Sequence, residues 1–418
     1  MAVKMEEHVL NNGWEVDQFF QDDKIRWLLR NEYNLEIDKD PSGKLLLRGS
    51  KSDLTHALKL IAAVVGKIKS GEVIDLRKFS SLVSLERANA LELEPYLNKI
   101  CIGKTKDSKN KLVPIYPMTL EQFELVTHLM SNNVDTVLAT GDAGTGKTYI
   151  TVCCAALLTG LVAFEAEDRK ELLKNIKEAI SKARDLGCLP ASLERYNEYN
   201  YRLAEPLDKI VVLRPIVATQ EIGYLPGTAE EKVAPYLRQV FAYINEIPEE
   251  YRSKKLNNMV TSAKSLVANK EQIPTDLVDL ARMTGFLVEV LVELARGLNI
   301  EKAFVFGDEL ENVNIPTFEM LLDRPADGCK IAFSGDVRQC DLKPGVTSGL
   351  AVYADMYRNA TVEDLPFGAI VDMKTSLRTF RVRVNHELLA KYAEQNQIIG
   401  EQLKRGVYSH NITSNRGK

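Results

Sequence analysis

The chain has 418 residues, 45% of them hydrophobic and 27% charged, with a formal net charge of −4. That length accommodates two or three domains, and that balance describes an ordinary globular chain rather than a disordered or fibrous one. A negative total excludes a globally basic nucleic-acid binder, so any nucleic-acid surface must be a local patch.

The opening MAVKMEEHVLNNGW lacks the apolar core of a signal peptide, and no uninterrupted apolar run reaches the ~18 residues of a membrane span. The cysteines, Cys101, Cys153, Cys154, Cys188, Cys329 and Cys340, are scattered and form no C-x-x-C pair. This pattern predicts reduced thiols in a cytoplasmic protein with no zinc site and no membrane partner.

From Met1 to about Leu112 the chain reads as a small separate unit. DDKIRWLLRNE is helical, and NLEIDKDPSGKLLLRG places two short strands around a D-P-S-G turn. Ser50, with Asp53 three residues on, opens a helix carried by Leu54, Leu58, Ile61, Val65 and Ile68 and closed by Gly71. The stretch from about 90 to 115, with the polar run GKTKDSKNK, reads as a linker.

From Ile115 strands and helices alternate. Nearly continuous apolar runs at Thr136–Thr140, Lys209–Leu213, Phe286–Leu291, Ala303–Phe306 and Ile331–Ser334 predict parallel strands covered on both faces. Between the first two, Glu165 to Asp208 is charged and helix-prone and predicts a helical insertion. A second helical stretch runs from about Ala229 to Arg282, and the final SHNITSNRGK is a polar tail.

The first of these strands leads into TGDAGTGKTY, which has the spacing G-x-x-x-x-G-K-T of a phosphate-binding P-loop. Glycine tolerates the backbone angles that point several N–H groups at one anion, and the following helix contributes its unpaired N–H groups and dipole. Gly141, Asp142, Ala143, Gly144, Thr145, Gly146, Lys147, Thr148 and Tyr149 are thus the expected nucleotide-binding residues. Lys147 reaches the β- and γ-phosphates, and the Thr148 hydroxyl ligates Mg2+. The apolar run YITVCCAALLTG behind the loop predicts a buried helix containing Cys153 and Cys154.

A P-loop needs carboxylates. AFVFGDELEN supplies Asp308 for the metal and Glu309 to polarise the attacking water, although Gly307 is an unusual residue at that strand end. KIAFSGDVRQCDL puts Gln339 at another strand end, where it is placed to sense a γ-phosphate or water. Upstream, Gln122 either reads adenine with its amide or completes a capping box with Thr119, and both readings are compatible. The loop RPIVATQEIGYLPG carries Arg214 and Tyr224, which suit nucleic-acid contacts or an ordinary surface loop.

Together these segments resemble the PhoH-like family of phosphate-starvation-inducible ATPases, from about Asp22 to Glu394 outside the insertions. The carriers are GDAGTGKTY, RPIVATQEIGYLPG, EEKVAPYLR, ARGLNIEKAFVFGDELEN, SGDVRQCDLKPGVTSGL and LLAKYAE. The resemblance implies a helicase-like P-loop ATPase with RNA-linked activity and an N-terminal unit similar to a KH module. The chain departs from the family pattern in three places. Asp308 to Asn312 reads D-E-L-E-N where members usually show D-E-A-Q-N. Arg296, Gly297 and Leu298 stand where R-G-R is common, and the Glu165–Asp208 insertion is larger than the usual connection. The N-terminal unit also lacks the G-x-x-G loop with which a KH module clamps nucleic-acid backbone. These departures resemble a divergent phage member.

The expected fold is α/β. It has a RecA-like P-loop NTPase core with a mostly parallel sheet, helices on both faces and helical insertions, preceded by a small α+β, KH-like unit. The expected organisation is 1–112 for that unit and linker, 113–402 for the ATPase domain with an insertion at about 163–208, and 403–418 for the tail. The expected activity is ATP hydrolysis, with Mg2+, coupled to remodelling or unwinding single-stranded nucleic acid, RNA ahead of DNA, as an RNA helicase would. The alternatives are a nucleotide-dependent switch or scaffold and, more remotely, a small-molecule kinase. Too little chain follows Gln339 for a second ATPase lobe of ~100 residues, so a homo-oligomeric ring, a hexamer first, would complete each site from a neighbour. Arg378, Arg381 and Arg383 in SLRTFRVRVNHELLAKYAE are the candidates for an arginine delivered in trans. Arg381 ranks first, because it falls where the family carries an arginine before its terminal helix.

Overall fold

The structure is a computed structural model that describes residues 5–377 apart from positions 12, 108, 198, 216–239, 267–275 and 344. The chain begins with β1 (Met5–Val9), α1 (Trp14–Gln21), α2 (Asp23–Tyr33), β2 (Glu36–Lys39), β3 (Leu45–Ser50), α3 (Lys51–Lys69) and α4 (Leu76–Arg87). The three strands form an antiparallel sheet in the order β1-β3-β2. Local chemistry sets its corners. The Asp22 carboxylate caps α2 by accepting from the Lys24 and Ile25 N–H groups. The Asp40 carboxylate accepts from the N–H groups of Ser42 and Lys44 inside the D-P-S-G turn. Ser50 caps α3 by accepting from Asp53 N–H at 3.1 Å. Ile25, Leu28, Leu47, Ile61 and Phe79 fill the core between them. The strand β1 was not among the expected elements: its residues are exposed throughout, so Met-Glu-Glu-His-Val carries no alternation and its place comes from pairing with β3.

The stretch expected to be a linker is packed. It forms α5 (Glu94–Leu97) and a hairpin of β4 (Gly103–Lys106) and β5 (Leu112–Ile115), with GKTKDSKNK at the tip. Leu93, Leu97, Ile100 and Ile102 are fully buried in the main core. Glu94, itself buried, is held by Lys78 of α4 and by Lys67 of α3 at 2.9 Å. The apolar residues here are too sparse for a periodic signal, and each is buried by contacts made elsewhere in the chain.

The larger part continues with α6 (Leu120–Met130), β6 (Thr136–Gly141), α7 (Lys147–Leu158), α8 (Ala166–Asp185), β7 (Lys209–Arg214), α9 (Ala242–Glu246), α10 (Lys254–Leu266), α11 (Leu277–Met283), β8 (Leu287–Leu291), β9 (Ala303–Gly307), α12 (Ile315–Leu322), β10 (Lys330–Gly335), α13 (Gly349–Asn359) and β11 (Gly368–Met373). A six-stranded sheet runs β11-β6-β10-β9-β7-β8, and every pairing in it is parallel. Successive residues alternate between two cores. Val137, Val212, Phe306 and Ala332 point to one, with α7 and α8. Leu138, Val211, Val305 and Phe333 point to the other, with Phe318 of α12 and Leu350 of α13. Helices therefore cover both faces, as the continuous apolar runs require. The edge strand β11 was not foreseen, because GAIVDM is short and follows a polar turn.

The insertion opens with α8, whose Glu165 and Asp168 form a reciprocal capping box. Its return packs against α6: His128, fully buried, bonds Tyr196 Oη at 2.9 Å and Ser192 Oγ at 2.7 Å, and Tyr201 Oη donates to Thr127 O. No helix among the described residues is long and apolar enough to cross a membrane.

Candidate nucleotide site

Parallel register brings the carboxyl ends of the strands to one edge of the sheet. Thr140 lies beside Gly335, Gly141 beside Met373, and Gly307 beside both Phe333 and Leu213. The segments that follow these strands meet there, where open α/β sheets bind their ligands.

The P-loop leaves β6 at Gly141, whose φ is +135°. A Cβ at this position would lie 1.9 Å from Met373 O of β11, so only glycine fits. Gly146, at φ +94°, caps α7 without a side-chain oxygen, which leaves the first N–H groups of the helix facing the loop. Lys147 is buried, and its Nζ donates to Gly141 O at 2.6 Å and Asp142 O at 2.8 Å. The loop is braced from outside by Leu377 N–H, which donates to Gly144 O, and by Arg338, which pairs with Asp142.

Gln122 lies behind this loop. Its N–H is capped by Thr119 Oγ1, its Nε2 donates to Thr145 O at 2.9 Å, and its Oε1 accepts from Met118 N–H at 2.8 Å. The amide thus props the loop beneath Gly146. Tyr149, in the first turn of α7, is half exposed and stands edge-to-face with Tyr243 at 5.9 Å between ring centroids.

Asp308 stands across from the loop. Thr148 Oγ1 donates to its Oδ2 at 2.8 Å, and Ser334 Oγ of β10 donates to its Oδ1 at 2.7 Å. Ser334 was not singled out from the sequence, since only the placement of β10 between β6 and β9 makes it a neighbour. Gly307 is explained by crowding: a Cβ there would lie 2.6 Å from Leu310 and 3.1 Å from Phe333. Glu309 adopts the left-handed conformation, φ +57°, which costs a non-glycine residue about 1–3 kcal/mol. Burial of the carboxyl end and the charge of Asp308 push its pKa up, and the Arg214 guanidinium at the end of β7 opposes them. Arg214, expected at a nucleic-acid surface, therefore lies where its charge acts on Glu309.

Asp336 organises the third strand end. Its Oδ2 accepts from Gln339 Nε2 at 2.8 Å and its Oδ1 from Arg338 N–H at 3.1 Å, with the Gln339 side chain exposed. Its own N–H donates to Glu311 Oε2 at 3.1 Å. Glu311 is buried, and burial pushes its pKa up to about 8, with Asp308 and Glu309 adding to the shift. Two further residues were not foreseen: Asp372 of β11 accepts from Thr140 and from both Nε and Nη2 of Arg358.

The geometry thus gathers the P-loop, Asp308, Glu309, Gln339 and Arg214. Tyr224, Arg378, Arg381 and Arg383 lie outside the described residues. The donors fit the groups that the motif implies. Left-handed glycines and an uncapped helix start suit a phosphate chain. The hydroxyl of Thr148 and the carboxylate of Asp308, in direct contact, are hard oxygen donors of the kind Mg2+ takes together with phosphate oxygens and water.

A sequence model described as "PhoH-like protein" matches residues 114–209 and 203–372. The chain is 25% identical over 355 residues to a PhoH-like protein of Bacillus subtilis, covering 85% of this chain and 88% of that one. It is 24% identical over 381 residues to a PhoH-like protein of Mycobacterium bovis, covering 90% and 84%. To protein PhoH of Escherichia coli K12 it is 25% identical over 276 residues, covering 66% and 56%.

Proposed function

The chain belongs to the PhoH-like family of P-loop NTPases, and on that premise we propose that it hydrolyses ATP to remodel single-stranded nucleic acid, RNA before DNA. The observation that carries the reading is the contact of Thr148 with Asp308, which joins the P-loop to the carboxylate pair across an intervening strand.

In this reading the backbone from Gly141 to Gly146 cradles the phosphates and Lys147 holds the β- and γ-oxygens. Thr148 and Asp308 hold Mg2+, which when bound neutralises charge on the phosphates. Glu309 takes the proton of the attacking water, and a pKa raised above the ordinary carboxylate value makes it a stronger base. Gln339, steadied by Asp336, orients that water or senses the γ-phosphate. Gln122 supports the loop, with Tyr149 beside the ribose or base. Nucleic acid would meet Arg214 and Tyr224.

The test is ATP turnover with and without single-stranded RNA. Strong stimulation supports the remodelling activity, a low flat rate supports a switch or scaffold, and turnover only with a small phosphoryl acceptor supports a kinase. Lys147→Ala should abolish turnover. Glu309→Gln should still bind ATP but turn it over roughly 10²–10⁴-fold more slowly, the usual value of general-base help. Near-normal turnover in Lys147→Ala would sink the nucleotide reading.

A further inference from the structure

Between α7 and β7 lies the insertion, which the hydrolysis chemistry leaves unused. The inner face of α8 is buried through Leu172, Ile176, Ala179 and Ala183. Its outer face carries Lys170, Lys174 and Lys177, one turn apart so that neighbours stand about 5–6 Å apart, and Arg184 two turns further on, about 10 Å along the helix. These four cations line one groove of about 760 Å³, in which Glu178 is the single carboxylate among the described lining residues. In a chain of net charge −4 this is a local positive stripe.

The other wall of the groove is the return segment at Asn197 and Tyr199. Side-chain amides fix its shape: Asn197 Oδ1 accepts from the N–H groups of Tyr199 and Asn200, and Asn200 Oδ1 accepts from Asn197 N–H at 2.7 Å. The Tyr199 side chain, projecting from this braced turn, is 82% exposed. A solvated charged face would account for the lysines alone. It does not account for a large aromatic presented beside them on a built turn. The ion pairs described on the stripe are exposed and long: Lys170 with Glu167 at 3.3 Å, Lys174 with Glu178 at 3.7 Å and Arg184 with Glu194 at 3.5 Å. Such pairs hold weakly and exchange for phosphate oxygens.

We infer that this groove binds single-stranded nucleic acid, with the α8 cations tracking the backbone and Tyr199 stacking on a base. A cation-lined groove with an aromatic platform is the general chemistry of such sites. The inference rests on the proposed action on single-stranded nucleic acid and adds a place for it, on the helical insertion between α7 and β7.

The test uses the full chain and a fluorescein-labelled oligouridine, titrated across a salt series, with basal and RNA-stimulated ATP turnover measured in parallel. The triple variant Lys170→Gln, Lys174→Gln, Lys177→Gln should weaken binding and lower the salt slope by about 2, since each single-strand phosphate contact contributes ~0.7. Tyr199→Ala should weaken binding roughly 10-fold without changing the slope, and Tyr199→Phe should bind like the parent. Basal turnover should be unchanged in all three. If the parent binds RNA and the variants bind equally well, the groove inference fails while the proposed function stands. If the parent binds neither RNA nor single-stranded DNA, with or without ATP, both fail. A parallel fall of basal turnover would assign the groove a structural role. Loss of polyglutamate binding with RNA affinity kept would make it a dock for acidic protein. Either result overturns the inference.

Discussion

Glu311 is a buried carboxylate with a well-defined neighbour on each oxygen: Asp336 N–H donates to Oε2, and Asn312 Nδ2 donates to Oε1 at 3.2 Å. Glycine at 335 makes room for it, because a Cβ there would lie 2.1 Å from Oε2. The carboxyl holds its proton to about pH 8 in the fold, against an ordinary value of 4.5. Between those values the folded chain binds a proton that the unfolded chain has released, so this group makes stability fall as pH rises. Glu311→Gln, the residue that family members usually carry, removes that dependence. Thermal midpoints taken from pH 5 to 8 should decline in the parent relative to the variant, and parallel curves would refute the assignment. Arg214 gives a second pH test. Its charge lowers the Glu309 pKa, so Arg214→Ala should move the acid limb of the turnover profile to higher pH. An unmoved limb would leave Arg214 only the proposed role as a nucleic-acid contact.

Among the elements, β11 decides the shape of the P-loop. It pairs with β6 along its whole length, and Met373 O lies where a side chain at 141 would go. Gly141→Ala should force the two strand ends apart and lower ATP affinity by at least 10-fold, while α7 and its buried face remain. Equilibrium binding of a fluorescent ATP analogue checks this, and parent-like affinity would show that the loop adapts. In the N-terminal unit the boundary between β3 and α3 is a single residue, Ser50, which ends the strand and caps the helix. Ser50→Ala should cost about 1 kcal/mol, the usual value of an N-cap, read from denaturant unfolding.

At the scale of the whole molecule, the N-terminal unit is tied to the nucleotide site through side chains. Ser84 of α4 bonds Thr375 at 3.1 Å, Thr375 donates to Glu121 of α6, and two residues on Leu377 N–H meets the P-loop at Gly144 O. The segment that makes these contacts leads on to Arg378, Arg381 and Arg383. We expect Arg381 to act on the site of a neighbouring subunit in a ring, where such an arginine is worth 10³–10⁵ in rate. Arg381→Ala should then be inactive alone and regain partial turnover when mixed with Lys147→Ala, because some intact Lys147 sites would face an intact Arg381. No recovery despite proven subunit exchange, or a fully active monomer, would exclude the arrangement.

The sequence by itself determined what local chemistry determines. The glycine spacing of the P-loop, the continuous apolar runs of β6, β7, β9 and β10, the D-P-S-G turn and the Ser50 cap were legible because each acts on residues a few positions away. Tertiary structure decided the rest. Thr148 meets Asp308, and Asp308 meets Ser334, only because β10 lies between β6 and β9 in register. The packing of 90–115, the pairing of β1, the edge position of β11, the burial of Glu311 and the nearness of Arg214 to Glu309 depend in the same way on partners distant in the chain. No periodicity within a segment encodes which distant segment will cover it.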